Sequence, residues 1–147
     1  MQLTRINPND TGFIAALEDV GMPVDDLNSS GGIYFAILDD QGQAAGYCGY
    51  EMPGEGLAFI RSCVVPGGGR RKGVGRAMMS ALIERLSSEK ISDLYLLTMD
   101  ADPFFEKFGF KIISRDDAPE TVRGTAQFEM EICNEAVLMR RWFDTTP

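Results

Sequence analysis

The stretch VVPGGGRRKGVGRAMMSALIERL, residues 64–86, decides how the chain is read. An apolar run stops at Pro66, three glycines and a basic cluster follow, and the remainder has helical spacing. Val74, Ala77, Met78, Ala81, Leu82 and Leu86 fall on one helical face, while Arg76, Ser80, Glu84 and Ser87 lie elsewhere on the wheel. A strand that gives way to a helix leaves several backbone N–H groups without acceptors at the helix start. Together with the helix dipole these donors make an anion site, and glycine lets a phosphate approach the backbone because no Cβ intervenes. Arg70, Arg71, Lys72 and Arg76 supply four of the chain's fourteen basic residues within seven positions. On a protein of net charge −8, that concentration implies an anionic partner at this spot.

Outward from this stretch, other elements follow from pattern. Residues 2–6 predict a strand, and the segment after them a helix capped by Asp10 or Thr11 and ended by Gly21. VDDLNSSGG, residues 24–32, reads as a short polar helical turn and a loop. Two apolar runs around DDQGQ, residues 39–43, predict a hairpin, and residues 56–65 a further strand ended by Pro66. The apolar run of residues 93–99 predicts a strand buried on both faces. DPFFEKFG, residues 102–109, predicts a short helix with Asp102 as its cap, Pro103 at its first position and Gly109 as its stop. Residues 110–115 and 135–143 predict two more strands, with helical turns over residues 119–132. No repeat, low-complexity tract or linker intervenes. One domain over residues 1–147 is expected, an α/β fold with a mixed sheet and helices on both faces.

Composition narrows the chemistry. The chain is 44% hydrophobic and 24% charged, as a soluble globular fold is. No apolar run approaches the roughly 20 residues that span a bilayer, and MQLTRINPND lacks the apolar centre of a signal peptide, so no membrane partner and a cytoplasmic location are expected. The acidic balance argues against general nucleic-acid binding. Cys48, Cys63 and Cys133 form neither a disulfide framework nor a metal pattern, and no metal is expected. There is no histidine. Chemistry must therefore come from carboxylates, Tyr, Cys, Lys, backbone groups or a cofactor.

Two familiar phosphate loops fail on this sequence. A P-loop counted from Gly68 reaches Gly73 but then needs Lys where Val74 stands. A dinucleotide fingerprint started at Gly67 or Gly73 meets Lys72 or Met78 in place of its last glycine. What fits is Arg70-x-x-Gly73-x-Gly75 following a strand that ends CVVP. This resembles the acetyl-coenzyme A signature of the GCN5-related N-acetyltransferase (GNAT) superfamily. DPFFEKFGF resembles the downstream helix of that family through Phe104, Phe105, Gly109 and Phe110. The resemblance runs over about residues 30–115 and implies a mostly antiparallel mixed sheet with splayed central strands.

The resemblance implies acetyl-CoA as cosubstrate. Its diphosphate would be held by the amides of Arg71, Lys72, Gly73, Val74, Gly75 and Arg76, with Arg70 and the phenylalanines Phe104 and Phe105 also on the coenzyme. Its pantetheine arm would lie along the backbone of Cys63, Val64 and Val65 like an added strand. An amide near Val65 would polarise the acetyl carbonyl. Glu51 and Glu55 are candidate bases for the amine, each also readable as an ordinary surface carboxylate. The tyrosine with which many family members protonate the leaving thiolate is replaced here by Phe105, which leaves Tyr95 or solvent for that step.

The C-terminal third resembles the acetyltransferase domain of bacterial N-acetylglutamate synthases and stand-alone relatives from arsenic-resistance clusters. It implies a small-molecule amine that is an amino acid or its analogue. A carboxylate on such a substrate calls for arginine, whose fork matches two oxygens. Arg61 and Arg123 are the candidates. Arg61, inside an apolar strand, reads equally as one half of an internal ion pair with Asp or Glu. EICNEAV stands where the synthases place basic residues, so glutamate is one acceptor among several. A non-catalytic acetyl-CoA sensor and a peptide acetyltransferase remain alternatives, and the exposed final strands of such sheets allow a homodimer.

Overall fold

The computed structural model describes residues 2–29, 31–67, 73–125, 128 and 136–143. Its elements are β1 (Gln2–Ile6), α1 (Thr11–Asp19), β2 (Ile33–Leu38), β3 (Ala44–Gly54), β4 (Leu57–Val64) and α2 (Val74–Ser87). β5 (Asp93–Thr98), α3 (Asp102–Glu106), β6 (Lys111–Ile113), α4 (Glu120–Arg123) and β7 (Val137–Trp142) follow. The strands make one seven-stranded sheet in the order β1-β2-β3-β4-β5-β7-β6. The pairs β1–β2, β2–β3, β5–β7 and β6–β7 are antiparallel and β4–β5 is parallel, the mixed sheet expected from the sequence. The chain divides into two compact units, Met1–Glu51 with Arg61–Arg85, and Met52–Ile60 with Leu86–Pro147.

In the first unit the period-two rule assigns each side of β2 to its own helix. Tyr34 and Ala36 pack with Phe13, Ala16 and Leu17 of α1 and with Tyr47 of β3. Phe35 and Ile37 face the other way: Arg85 of α2 lies over the Phe35 ring at 4.8 Å, and Met78 and Ile37 both border Gly46. Helices therefore cover both faces here. α1 starts at Asp10, whose Oδ1 accepts the Phe13 N–H at 2.9 Å, and stops where Gly21 turns to φ +74°. On α2 the apolar stripe is buried through Val74, Met78, Met79, Leu82, Ile83 and Leu86.

In the second unit the core on one side of β5 consists of Phe59, Tyr95, Ala118, Val122 and Leu138. Two boundaries differ from expectation. α3 begins at Asp102 itself and its cap is Ala101, whose N–H donates to Thr98 Oγ1 at 3.0 Å, so Asp102 is not the capping residue. β6 is shorter than residues 110–115, because Ser114 accepts the Asp116 N–H and turns the chain into a 3₁₀ helix, Arg115–Asp117. Of the helical turns expected over residues 119–132, Glu120–Arg123 form α4, while residues 126–127 and 129–132 lie outside the described residues. Among the described residues no helix is long and apolar enough to cross a membrane.

Candidate active site

Three pieces of the first unit build the site: the end of β4, the start of α2, and β3 at Glu51. The parallel ladder of β4 with β5 pairs Leu57–Phe59 with Asp93–Tyr95, and among the described residues it stops there. Arg61–Val64 continue β4 past it. After Val65 the chain turns at Gly67, φ +53°, and re-enters the described residues at Gly73, φ +71°. A side chain at Gly73 meets no neighbour within 4 Å, so it is the left-handed backbone that requires glycine there. The first closed bond of α2 runs from the Ala77 N–H to the Gly73 carbonyl at 3.1 Å. The N–H groups of Val74, Gly75 and Arg76 thus precede the intrahelical ladder, as at any helix N-terminus. The Val74 side chain is buried and pins the turn to the core, while Arg76 is exposed. An anion fits this cradle. Arg70, Arg71 and Lys72 lie outside the described residues.

Within β4, Arg61 is clamped by two carboxylates. Both ends of its guanidinium reach Asp26, with Nη2 donating to Oδ1 at 2.8 Å and Nη1 to Oδ2. Nη1 also donates to Glu51 Oε2 at 2.9 Å and Nε to Ser62 Oγ at 3.1 Å. The Tyr34 ring lies 5.9 Å beneath the guanidinium carbon. The Arg61 side chain has no exposed surface, and those of Asp26 and Glu51 are 8% and 9% exposed. Burial opposes the Arg61 charge, but the bonds to Asp26 and the neighbouring groups outweigh it and hold Arg61 above its ordinary range. Burial raises Glu51 above the usual carboxylate range, against the pull of Arg61 and with a push from Asp26.

Of the two readings the sequence gave Arg61, a ligand for a substrate carboxylate and one half of an internal ion pair, these contacts are those of the second, with the fork occupied by Asp26. Asp26 went unread because it stands in a polar turn 35 residues from Arg61. The only signal was that an arginine in an apolar strand needs an acidic partner. Ser62 was missed as well: it is the one non-glycine residue at positive φ, 59°, among the described residues.

The remaining candidates are dispersed. Cys63 and Val65 are half-buried and Val64 is buried, in line with β4. Desolvation pushes the Cys63 thiol up to about 12. Glu55 is exposed on the β3–β4 turn. Tyr95 is a core residue of the second unit and not an open proton donor: it packs among Phe59, Val122 and Leu138, and burial raises its hydroxyl. Phe104 and Phe105 meet edge to face at 5.2 Å, and Phe105 also packs on Phe110, so their visible role is packing in α3. Arg123 is exposed at the end of α4. Among the described residues no group of three or more His, Cys, Asp or Glu could hold a metal ion.

A family pattern matches the stretch that holds these elements, from the end of β1 through α3. The chain belongs to the Acetyltransferase (GNAT) family, whose pattern matches residues 6–110. An uncharacterized N-acetyltransferase of Chlorobaculum tepidum is 32% identical over 88 residues. That match spans 60% of this chain and 56% of the relative, little more than half its length. Among solved structures, a Mycobacterium tuberculosis protein in complex with CoA and NLQ superposes with a TM-score of 0.78 at 15% identity, covering 97% of this chain and 99% of that one. The N-acetylglutamate synthase of Neisseria gonorrhoeae, complexed with coenzyme A and N-acetyl-glutamate, gives 0.76 at 18% identity, over 97% of this chain and 35% of that one.

Proposed function

We propose that this protein is an acetyl-CoA-dependent N-acetyltransferase that moves an acetyl group directly onto the amine of a small amino acid or amino-acid analogue. The observation that carries the reading is the start of α2, where Val74, Gly75 and Arg76 present N–H groups ahead of the first intrahelical bond, next to the left-handed Gly73. These donors, with Arg70, Arg71 and Lys72, grip the coenzyme diphosphate. The main chain of Cys63–Val65, past the end of the β4–β5 ladder, receives the pantetheine arm by strand-like hydrogen bonds. Bound there, acetyl-CoA supplies an acyl group activated as a thioester.

The Val65 N–H polarises the thioester carbonyl, a type of donor often worth about 3 kcal/mol of barrier. Glu51 accepts the proton that the amine gives up as its nitrogen bonds to the acyl carbon and the C–S bond breaks. The electron pair leaves on sulfur, which takes a proton from solvent. The demand on Glu51 is mild, since an α-amine with a pKa near 8 is already about one-tenth neutral at pH 7. Holding the reactants together supplies much of the remaining acceleration. With Arg61 committed to Asp26, Arg123 is the candidate for the substrate carboxylate. Family membership supports the reaction class. A fold neighbour solved with N-acetyl-glutamate supports the acceptor class.

Calorimetric titration with acetyl-CoA and thiol-release assays over a panel of amino acids and amines test this. Micromolar binding and release with at least one amino acid are expected. Gly73→Val weakens coenzyme binding about tenfold or more, because it forces a branched side chain into the left-handed region. Absence of any binding by the folded wild-type protein overturns the proposal.

A further inference from the structure

The Asp26–Arg61–Glu51 cluster is unequal in its sharing. Asp26 takes both ends of the guanidinium fork, and Glu51 receives one bond, at 2.9 Å. Two carboxylates share one cation in a pocket that water scarcely reaches. An ion pair built only for stability would match its charges, since an uncompensated buried charge is costly. Here the imbalance falls on Glu51, whose other oxygen has no hydrogen-bond partner among the described residues. Among the described residues the charged groups that act on it are Arg61 on β4 and Asp26 on the turn before β2, and the Tyr34 ring lies beneath the guanidinium.

We propose that Asp26 and Arg61 are positioning residues for proton transfer: Asp26 occupies the guanidinium fork, so Arg61 fixes Glu51 through one oxygen and leaves the other free to accept the proton of the acetyl acceptor's amine. This rests on the reading of Glu51 as the base. Neither Asp26 nor Arg61 touches the substrate. Asp26 acts by dividing the cation. If Asp26 loses its charge, the whole attraction of Arg61 falls on Glu51, stabilises its carboxylate and makes it a weaker base. The sign is the opposite of what general damage to the site would give on the acid side, where activity would then persist to lower pH.

The test follows Glu51 directly, by titrating the side-chain carboxyl carbons of ¹³C-glutamate-labelled protein, with the Glu51 signal assigned through Glu51→Gln. In the wild type its midpoint lies above the ordinary glutamate range; a midpoint at or below that range overturns the proposal without any further variant. Asp26→Asn moves the midpoint down, and Asp26→Glu, which keeps the charge, restores it. In parallel, the ratio of kcat/KM at pH 6 to that at pH 8 rises in Asp26→Asn, each unit of displacement being a factor of about ten in the acid limb. KM for acetyl-CoA stays unchanged. A folded Asp26→Asn protein with an unmoved Glu51 midpoint and an unmoved ratio overturns the positioning role, while Glu51→Gln, if inactive, leaves the base standing. Full activity in Glu51→Gln instead removes the base, and the positioning role with it.

Discussion

Replacing Arg61 with methionine keeps the apolar stem and removes the cation, which isolates what the guanidinium does for folding. In the native protein that group donates to Asp26 twice, to Glu51 and to Ser62, with no exposed surface on its side chain. The variant leaves two nearly buried carboxylates facing each other with no positive charge between them. Breaking a buried pair in this way costs about 3–5 kcal/mol, several times the worth of a surface pair. At roughly 3 °C per kcal/mol for a domain of this size, the melting temperature falls by roughly 9–15 °C. Urea unfolding followed by far-UV circular dichroism at pH 8 and pH 5 measures the effect. The deficit is larger at pH 8, because protonation of Glu51, already raised by burial, removes one of the two opposed charges as the pH falls. Adding Asp26→Asn to Arg61→Met recovers part of the loss, a non-additivity that marks contacting groups. A single-variant loss below about 1 kcal/mol at pH 8, with no dependence on pH, would show that the cluster is solvated and refute the reasoning.

Two other perturbations have defined outcomes. Gly49→Ala places a Cβ 2.8 Å from the Ile33 carbonyl and 2.9 Å from Tyr34 Cε1, against both rigid backbone and a core ring. Overpacking of this kind lowers stability by about 1–3 kcal/mol, and an unchanged urea midpoint would contradict it. Cys63, with its thiol pushed up to about 12, is ionised in about one molecule in ten thousand at pH 8. Iodoacetamide with peptide mapping should therefore find Cys63 unmodified in the folded protein and rapidly modified in urea, where a free thiol near 8.5 is about one-quarter thiolate. The same raised value means that folding loses stability as the pH climbs above about 8.5.

What the sequence made legible was whatever repeats or punctuates locally. The α2 stripe, the DDQGQ hairpin and the Gly21 and Gly109 stops each announce themselves within a few residues, and the structure places Gly21 and Gly109 at φ +74° and +88°. The start of α3 differs by one position, because Asp102 is already helical and Ala101 before it is the cap, without a side-chain bond to the helix. The electrostatic half of the site was hidden for a different reason. No spacing rule links Asp26, Glu51 and Arg61; only the sheet and the turn beside it bring them together. A buried arginine needs a partner, but nothing local tells which of the twenty-two acidic residues supplies it. Tyr95 was proposed from its chemistry alone, and the β5 alternation turned it into the core of the second unit.

Ser62 carries one more implication, for anyone who would graft or redesign this strand. Ser62 takes a left-handed step, φ 59°, in a run of β4 that is buried from Ala58 to Ser62, directly after the arginine of the ion-pair cluster. Sequence alignments that slide by a single position there would hand that backbone conformation to the wrong residue. The pair therefore has to be transplanted as one unit, and a chimera that keeps the arginine but straightens the serine should lose its hold on whatever lies beside Val65.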